Sequence, residues 1–248
     1  LATINQNPAA SASVNNSITP REPVTITIES ESVPIDNRSI FPAFEPLNQP
    51  PLSLITVSNS DVAQAIDSGN LTDAITLIDT LFSEQFSAYT QTNIQIGVSS
   101  APQQKIEVVS TLTHTQNAIL YVFSRPEQLD LILLPPTGSP IHRSVPQAQR
   151  EILLKLSQKL RAEITNPIRR NSNEYLGYSQ QLYQWIIAPI EDEIEKIGLD
   201  TILFSMDAGL RSLPLAALHD GQQFLIEKYS LAIIPSINLT DTSYSPLQ

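Results

Sequence analysis

The stretch Pro189-Ile-Glu-Asp-Glu-Ile-Glu-Lys-Ile-Gly198-Leu-Asp-Thr-Ile-Leu-Phe-Ser205 decides the fold class of this chain. Pro189 and the acidic residues after it are typical of the first turn of a helix, and Gly198 is typical of a helix end. Residues 201–205 then form a short apolar run that predicts a buried strand. A helix that leads directly into such a strand predicts a parallel sheet with helices on its faces.

The neighbouring segments extend this α/β pattern in both directions. Further strands are predicted at residues 118–123, 129–134, 141–145 and 229–234, with the turn Arg125-Pro-Glu-Gln128 between the first two. Amphipathic helices are predicted at 105–112, 147–164 and 174–187. In the first of these helices, the spacing predicts that Ile106, Val109 and Leu112 point inward.

Residues 1–58 differ in composition from the rest of the chain. Eight of the 19 prolines lie at or before Pro51, among many Asn, Ser and Thr residues. Such a segment buries little apolar surface, so we expect an extended tether. The alternation of Val24, Ile26 and Ile28 leaves a short docked strand as an alternative.

Residues 59–98 are predicted to form a helical segment between the tether and the α/β region. Ser60 is the expected cap of a short helix that ends at Gly69, and Asn70 or Thr72 opens a longer one. Apolar residues then recur three and four apart, at Ala74, Ile75, Ile78, Leu81, Phe82, Phe86 and Tyr89. This stripe indicates either packing against the core or a docking face for another protein.

Composition excludes several classes of function. The 248 residues contain no cysteine, so disulfides, zinc–thiolate sites and cysteine nucleophiles within them are excluded. The 25 acidic and 14 basic residues give a net charge of −11, which disfavours nucleic acid and anionic lipid as partners. No apolar run reaches the roughly 20 residues that span a bilayer, so no membrane insertion is expected.

The residues that most often carry chemistry are scattered. His114, His142 and His219 are far apart, and no metal-binding, phosphate-binding or nucleophile-elbow motif occurs. The acidic group Glu191, Asp192, Glu193 and Glu195 is explained by its place at a helix start. Arg169-Arg170 is typical of a solvated loop. No metal or cofactor site is therefore predicted.

Ser205, Asp207 and His219 are the one constellation that could form a hydrolytic triad, because they follow a predicted strand end. Ser205 is flanked by Phe204 and Met206, however, and lacks the small neighbours of a nucleophile elbow. The favoured interpretation is structural. Asp207 caps a turn, and His219 lies beside a hairpin tip at Asp220-Gly221.

Several long strings together resemble a known family. They are Gln181-Leu-Tyr-Gln-Trp-Ile-Ile-Ala-Pro-Ile-Glu191, Gly198-Leu-Asp-Thr-Ile-Leu-Phe-Ser-Met-Asp207, Ala208-Gly-Leu-Arg-Ser-Leu-Pro-Leu-Ala-Ala-Leu-His-Asp-Gly221, Phe224-Leu-Ile-Glu-Lys-Tyr229 and Ile234-Pro-Ser236. In this order they resemble the first half of a CHAT domain, the caspase-like module of the caspase/separase group. The resemblance covers residues 103–248 and is closest to cyanobacterial CHAT proteins linked to haemagglutinin-type secreted regions.

This resemblance implies a caspase-like α/β/α sandwich, of which residues 103–248 form the N-terminal portion. The family resembles caspases in using a histidine after one strand and a cysteine after the next, both downstream of the segment present here. His219 matches the non-catalytic Leu-His-Asp-Gly turn of the family. The resemblance therefore implies no catalytic residue in this chain.

Two main hypotheses for the function follow. The chain is the non-catalytic portion of a CHAT peptidase, completed by a C-terminal portion, or it is a CHAT-derived structural or interaction module. A serine hydrolase that uses Ser205 is the third hypothesis. We expect a protein partner or a homo-oligomer, because strand 202–204 is predicted to lack a neighbour and to expose a sheet edge. Leu1 in place of an initiator Met suggests processing, so we expect a secreted or periplasmic location, with the cytoplasm as the alternative.

Overall fold

The computed structural model describes residues 56–90, 101–169 and 172–240, and these residues build one five-stranded sheet. Its strands are β1 (Asn117–Ser124), β2 (Leu129–Leu134), β3 (Ile141–Val145), β4 (Thr201–Met206) and β5 (Ser230–Ile234). The spatial order is β3-β2-β1-β4-β5. Strands β1, β4 and β5 run parallel, whereas β2 pairs antiparallel with both of its neighbours.

Helices cover both faces of this sheet. The helices on one face are α1 (Asn59–Asp67), α2 (Leu71–Thr90) and α3 (Pro102–Thr113), and those on the other are α4 (Arg150–Thr165), α5 (Glu174–Ile186) and α6 (Glu191–Ile197). A short helix, α7 (Leu225–Lys228), precedes β5. Alternate residues of β1 point to the two layers, Leu120 to the second and Tyr121 to the first. The predicted α/β/α sandwich is confirmed.

The predicted strands agree with the structure to within one residue at either end. Two helix starts are shifted by three residues: the helix predicted from about residue 147 begins at Arg150, and the helix predicted from residue 105 begins at Pro102. Two local predictions are wrong. The cap of α1 is Ser58 rather than Ser60. Leu112, predicted to point inward, is 40% exposed, because it lies in the last turn of α3, whereas the buried residues of this helix are all in its first half.

The apolar stripe of α2 packs against the sheet. Ala74, Ile75, Ile78, Leu81 and Phe82 are buried in the same cluster as Tyr121 and Leu203. Further along the helix burial decreases, and Tyr89 is exposed. The stripe therefore contributes to the core of the α/β unit, as the first of its two predicted roles requires. The predicted division of the chain into a tether, a helical segment and an α/β portion, with boundaries at residues 58 and 98–103, stays a prediction.

The two edge strands of the sheet differ from the prediction. Strand β4, which was predicted to lack a neighbour, lies between β1 and β5. The prediction was wrong because the strand at 230–234 adds directly to β4. Among the described residues, the unpaired edges belong to β3 and β5.

Two sequence predictions concern residues outside the described part of the chain. Of the predicted tether at residues 1–58, only residues 56–58 are described, and the alternative strand at 24–28 lies wholly outside. No helix in the described part of the chain combines the length and the apolar character needed to cross a membrane.

Candidate functional site

The carboxyl ends of β1 and β4 lie side by side because the two strands are parallel neighbours. This is the edge at which open α/β sheets place their functional groups. Asp207 follows the last residue of β4, and Ser124 is the last residue of β1. Asp207 Oδ2 accepts hydrogen bonds from the backbone N–H of Ser124, at 3.3 Å, and from the Ser124 hydroxyl. The carboxylate thus joins the two strand ends.

Arg150 completes this contact from the first turn of α4. Its Nη1 lies 3.0 Å from Asp207 Oδ2 and 3.2 Å from the Ser124 carbonyl oxygen, and it also contacts the Ser124 hydroxyl. Asp207 is nearly buried, whereas the Arg150 side chain is 37% exposed. The ion pair is therefore open to solvent on its arginine side only.

The turn after β4 is built around the same carboxylate. Asp207 Oδ1 accepts from the backbone N–H of Gly209 at 3.0 Å. A Cβ atom at Gly209 would lie 2.8 Å from Cδ2 of Leu154, so a larger residue there would have to displace the end of that side chain. Arg211 then donates to the Met206 carbonyl at 3.1 Å and to the Phe82 carbonyl at 3.3 Å. Burial lowers the pKa of Arg211, and the nearby Asp207 charge offsets this only in part.

A second polar cluster surrounds Asp130, a fully buried residue of β2. Its carboxylate contacts Arg125 Nε at 2.5 Å and His142 Nε2 at 2.8 Å, and it accepts from the Ser144 hydroxyl at 2.9 Å. Burial alone would raise the pKa of Asp130. Hydrogen bonds from His142, Ser144 and Gln128 and the charge of Arg125 outweigh it and lower the pKa.

Arg125 extends this cluster to the helical layer. Its Nη1 and Nη2 donate to the two carboxylate oxygens of Asp67 at 3.1 and 2.9 Å, while Nε is held by Asp130. Asp67 is the last residue of α1. One guanidinium therefore fixes the end of this helix against the sheet with bidentate geometry.

The structure does not bring Ser205, Asp207 and His219 together as hydrogen-bond partners. The buried Ser205 hydroxyl donates to the Pro235 carbonyl at 3.4 Å, and His219 Nδ1 accepts from the Gly221 backbone at 2.9 Å. Asp207 is bonded to Ser124 and Arg150 instead. The structural interpretation of Asp207 as a turn cap and of His219 at a hairpin tip is confirmed.

The other singled-out residues have separate positions. His114 ends α3 in the left-handed conformation, with φ of 55°. Of the acidic group at the start of α6, Glu191 contacts Tyr183 and Lys228, and Glu193 contacts Arg143. The side chains of Arg169 and Arg170 lie outside the described part of the chain. Within that part, no three His, Asp or Glu side chains are grouped to hold a metal ion.

Sequence reasoning missed the contacts of Ser124, Arg150, Asp130 and His142. Ser124 and Asp207 are 83 residues apart, so their spacing carries no information. The usable pattern is positional, because Ser124 is the last residue of the buried strand β1 and Asp207 directly follows the buried strand β4. Once two strands are known to be parallel neighbours, the polar residues at their carboxyl ends are expected to lie close together at the same edge of the sheet.

The fold and this edge define the class: a three-layer α/β/α protein whose polar groups converge at the carboxyl ends of parallel strands. Residues 176–248 match the family model of the CHAT domain. The matched residues include α5 from its third residue onward, and α6, β4 and β5. This match supports a CHAT-domain protein and, with it, a caspase-like, peptidase-related class. A comparison with curated proteins gives no match.

Proposed function

We propose that this chain is the N-terminal, non-catalytic portion of a CHAT-type caspase-like cysteine peptidase. In this proposal a downstream portion, in the same polypeptide or in a separate one, supplies the catalytic histidine and cysteine. The chain itself would build half of the sheet and one wall of the cleft. The absence of cysteine from all 248 residues requires that the nucleophile come from elsewhere.

The observation that carries this proposal is the contrast between the two sheet edges. Strand β3 presents the polar residues His142, Arg143 and Ser144, which protect an edge against further pairing. Strand β5 has the sequence Ser-Leu-Ala-Ile-Ile, and its Ile233 is 48% exposed. An apolar edge strand that is unpaired within the described residues supports the addition of further strands at β5.

The polar edge at Ser124, Asp207 and Arg150 supports the same proposal. It lies at the carboxyl ends of β1 and β4, and β5, which would receive the added strand, is the next strand beyond β4. A histidine and a cysteine that followed added parallel strands would reach this same edge. The present residues would then shape the cleft rather than perform the chemistry.

The proposal is tested on the native protein, recovered with everything that co-purifies. Peptide mapping past Gln248 is expected to find a polypeptide with histidine and cysteine, and an iodoacetamide probe should label that cysteine in the folded state. The matched control replaces the labelled cysteine by alanine, which should abolish both the labelling and any peptide cleavage. A native product without a cysteine-bearing portion would overturn the proposal and favour the structural or interaction module.

We also propose that the protein is of the cyanobacterial haemagglutinin-linked type and is exported, to the periplasm or the medium. The lack of cysteine and the Asn-, Ser- and Thr-rich residues 1–58 are compatible with export. Fractionation of the producing cells tests this, with recovery in the cytoplasm as the contradicting result.

A further inference from the structure

Asp79 is a fully buried carboxylate in the middle of α2. Its Oδ1 accepts from the backbone N–H of Ile237 at 2.9 Å and from the Tyr121 hydroxyl at 3.3 Å. Its Oδ2 accepts from the Ser236 hydroxyl at 2.7 Å and from the backbone N–H of Asn238 at 3.1 Å. Three of these four donors belong to the segment that directly follows β5.

No cation of the described residues lies within ion-pair distance of this carboxylate. Lys105 of α3 instead donates to the Ile237 carbonyl, at 3.2 Å, and to the side chain of Asn238. Burial raises the pKa of Asp79, against the hydrogen bonds from Ser236, Ile237, Asn238 and Tyr121. An unpaired buried carboxylate is costly for folding, so its four donors must recover that cost.

The same part of α2 holds the chain after both neighbouring strands. Ser83 donates to the Ser236 hydroxyl at 2.7 Å, and the Phe82 carbonyl accepts from Arg211, which follows β4. The side chain of Ile237 is buried in the cluster shared by α2 and the sheet. Apolar packing therefore keeps the segment attached, while the direction of its backbone depends on the polar contacts.

We propose that Asp79 is a conformational latch by which α2 sets the path of residues 236–240 as the chain leaves β5. Loss of the Asp79 contacts would free residues 236–240 next to the strand edge at which β5 would pair. Asp79 lies upstream of residues 176–248, and the latched residues lie within them. The latch does not depend on whether the complete protein is a peptidase.

Hydrogen–deuterium exchange of the full chain tests the latch through the Asp79→Asn variant. The amide nitrogen of asparagine cannot accept from the backbone N–H of Asn238. We expect peptides that cover residues 236–240 to exchange about tenfold faster, while peptides of β1 and β4 keep their protection. Asp73→Asn is the matched control, because it makes the same change at an exposed position of α2. It should leave residues 236–240 unchanged.

A second variant keeps the test decisive if Asp79→Asn fails to fold. Ser236→Ala leaves the carboxylate in place but removes the hydroxyl that donates to Asp79 and accepts from the backbone N–H of Asn238 at 2.9 Å, so it should loosen the same peptides. Tyr121→Phe removes the donor from β1 and should not loosen them. Unchanged exchange at 236–240 in Ser236→Ala, or equal loosening of the whole sheet in both Asp79→Asn and Ser236→Ala, would overturn the latch.

Discussion

Asp79, Asp130 and Asp207 are buried carboxylates, and the groups around each one decide what its removal would cost. Asp130 and Asp207 each contact a guanidinium group, whereas Asp79 contacts only uncharged donors. Removal of a paired carboxylate leaves an arginine without its partner, which is worse than losing one hydrogen bond. Asp130 and Asp207 therefore stabilise the structure around the carboxyl ends of the parallel strands.

The Asp207→Asn variant tests this stabilisation at the strand ends. The substitution removes the negative charge that pairs with Arg150. It also replaces one carboxylate oxygen of Asp207 by an NH2 group, which cannot accept a hydrogen bond. We expect the free energy of unfolding to fall by about 2 kcal/mol, toward the low end for a buried pair because Arg150 is partly exposed. Urea unfolding measures it. Asp192→Asn, at an exposed position of α6, is the control and should cost less than about 1 kcal/mol, since it removes only an unburied charge from the first turn of a helix.

Asp130 predicts a pH dependence with a defined sign. Its pKa is lowered in the folded protein, so the unfolded chain binds the proton more readily. The ionised carboxylate stabilises the fold above its unfolded pKa of about 3.9, and this contribution is lost as the pH falls through the lower folded value. Urea unfolding between neutral and acid pH should show a smaller loss in Asp130→Asn than in wild type. If the free energy of unfolding fell by the same amount in wild type and Asp130→Asn over this pH range, the contribution assigned to Asp130 would be contradicted.

At the scale of elements, α1 depends on a capping box at its start. The Ser58 hydroxyl and the backbone N–H of Asp61 are 3.2 Å apart, and Asp61 in turn accepts from the backbone N–H of Ser58 at 2.9 Å. Ser58→Ala should therefore lower the free energy of unfolding by about 1 kcal/mol. Ser60→Ala is the comparison: its hydroxyl lies 2.7 Å from Ser58 Oγ but bonds no backbone N–H of the first turn, so its loss should cost clearly less. Equal losses in the two variants would contradict the cap.

Four of the strands could be predicted from sequence because each is an apolar run, and turn residues such as Arg125-Pro-Glu-Gln128 separate them; β3 is polar and was placed by the turn residues Pro135-Pro136 and Gly138 before it. The cap of α1 was misplaced, because Ser58 and Ser60 both precede the first apolar residue. Only Ser58 has an acid three residues later, which is the pattern of a capping box. The contact of Ser124 with Asp207 could not be predicted, since it depends on which strands become parallel neighbours.

At the scale of the whole molecule, the strand order decides where the sheet can grow. Strand β3 ends the sheet on one side with polar side chains, and β5 leaves an apolar strand unpaired within the described residues. The net charge of −11 opposes the approach of two copies at low salt. Salt screens this repulsion within about 8–10 Å, so self-association through β5 should increase with ionic strength.

Analytical ultracentrifugation of the 248-residue chain tests the β5 edge directly. We expect dimers or larger species that increase with protein and salt concentration, because an apolar edge strand offers unpaired backbone groups to a second copy. Ile233→Lys places a charge beside that edge and should return the chain to the monomer without lowering its Tm. Ile226→Lys is the matched control, since Ile226 is 51% exposed but lies in α7, outside the edge strand. A wild-type chain that stays monomeric throughout, or equal effects of the two lysine variants, would contradict an open β5 edge.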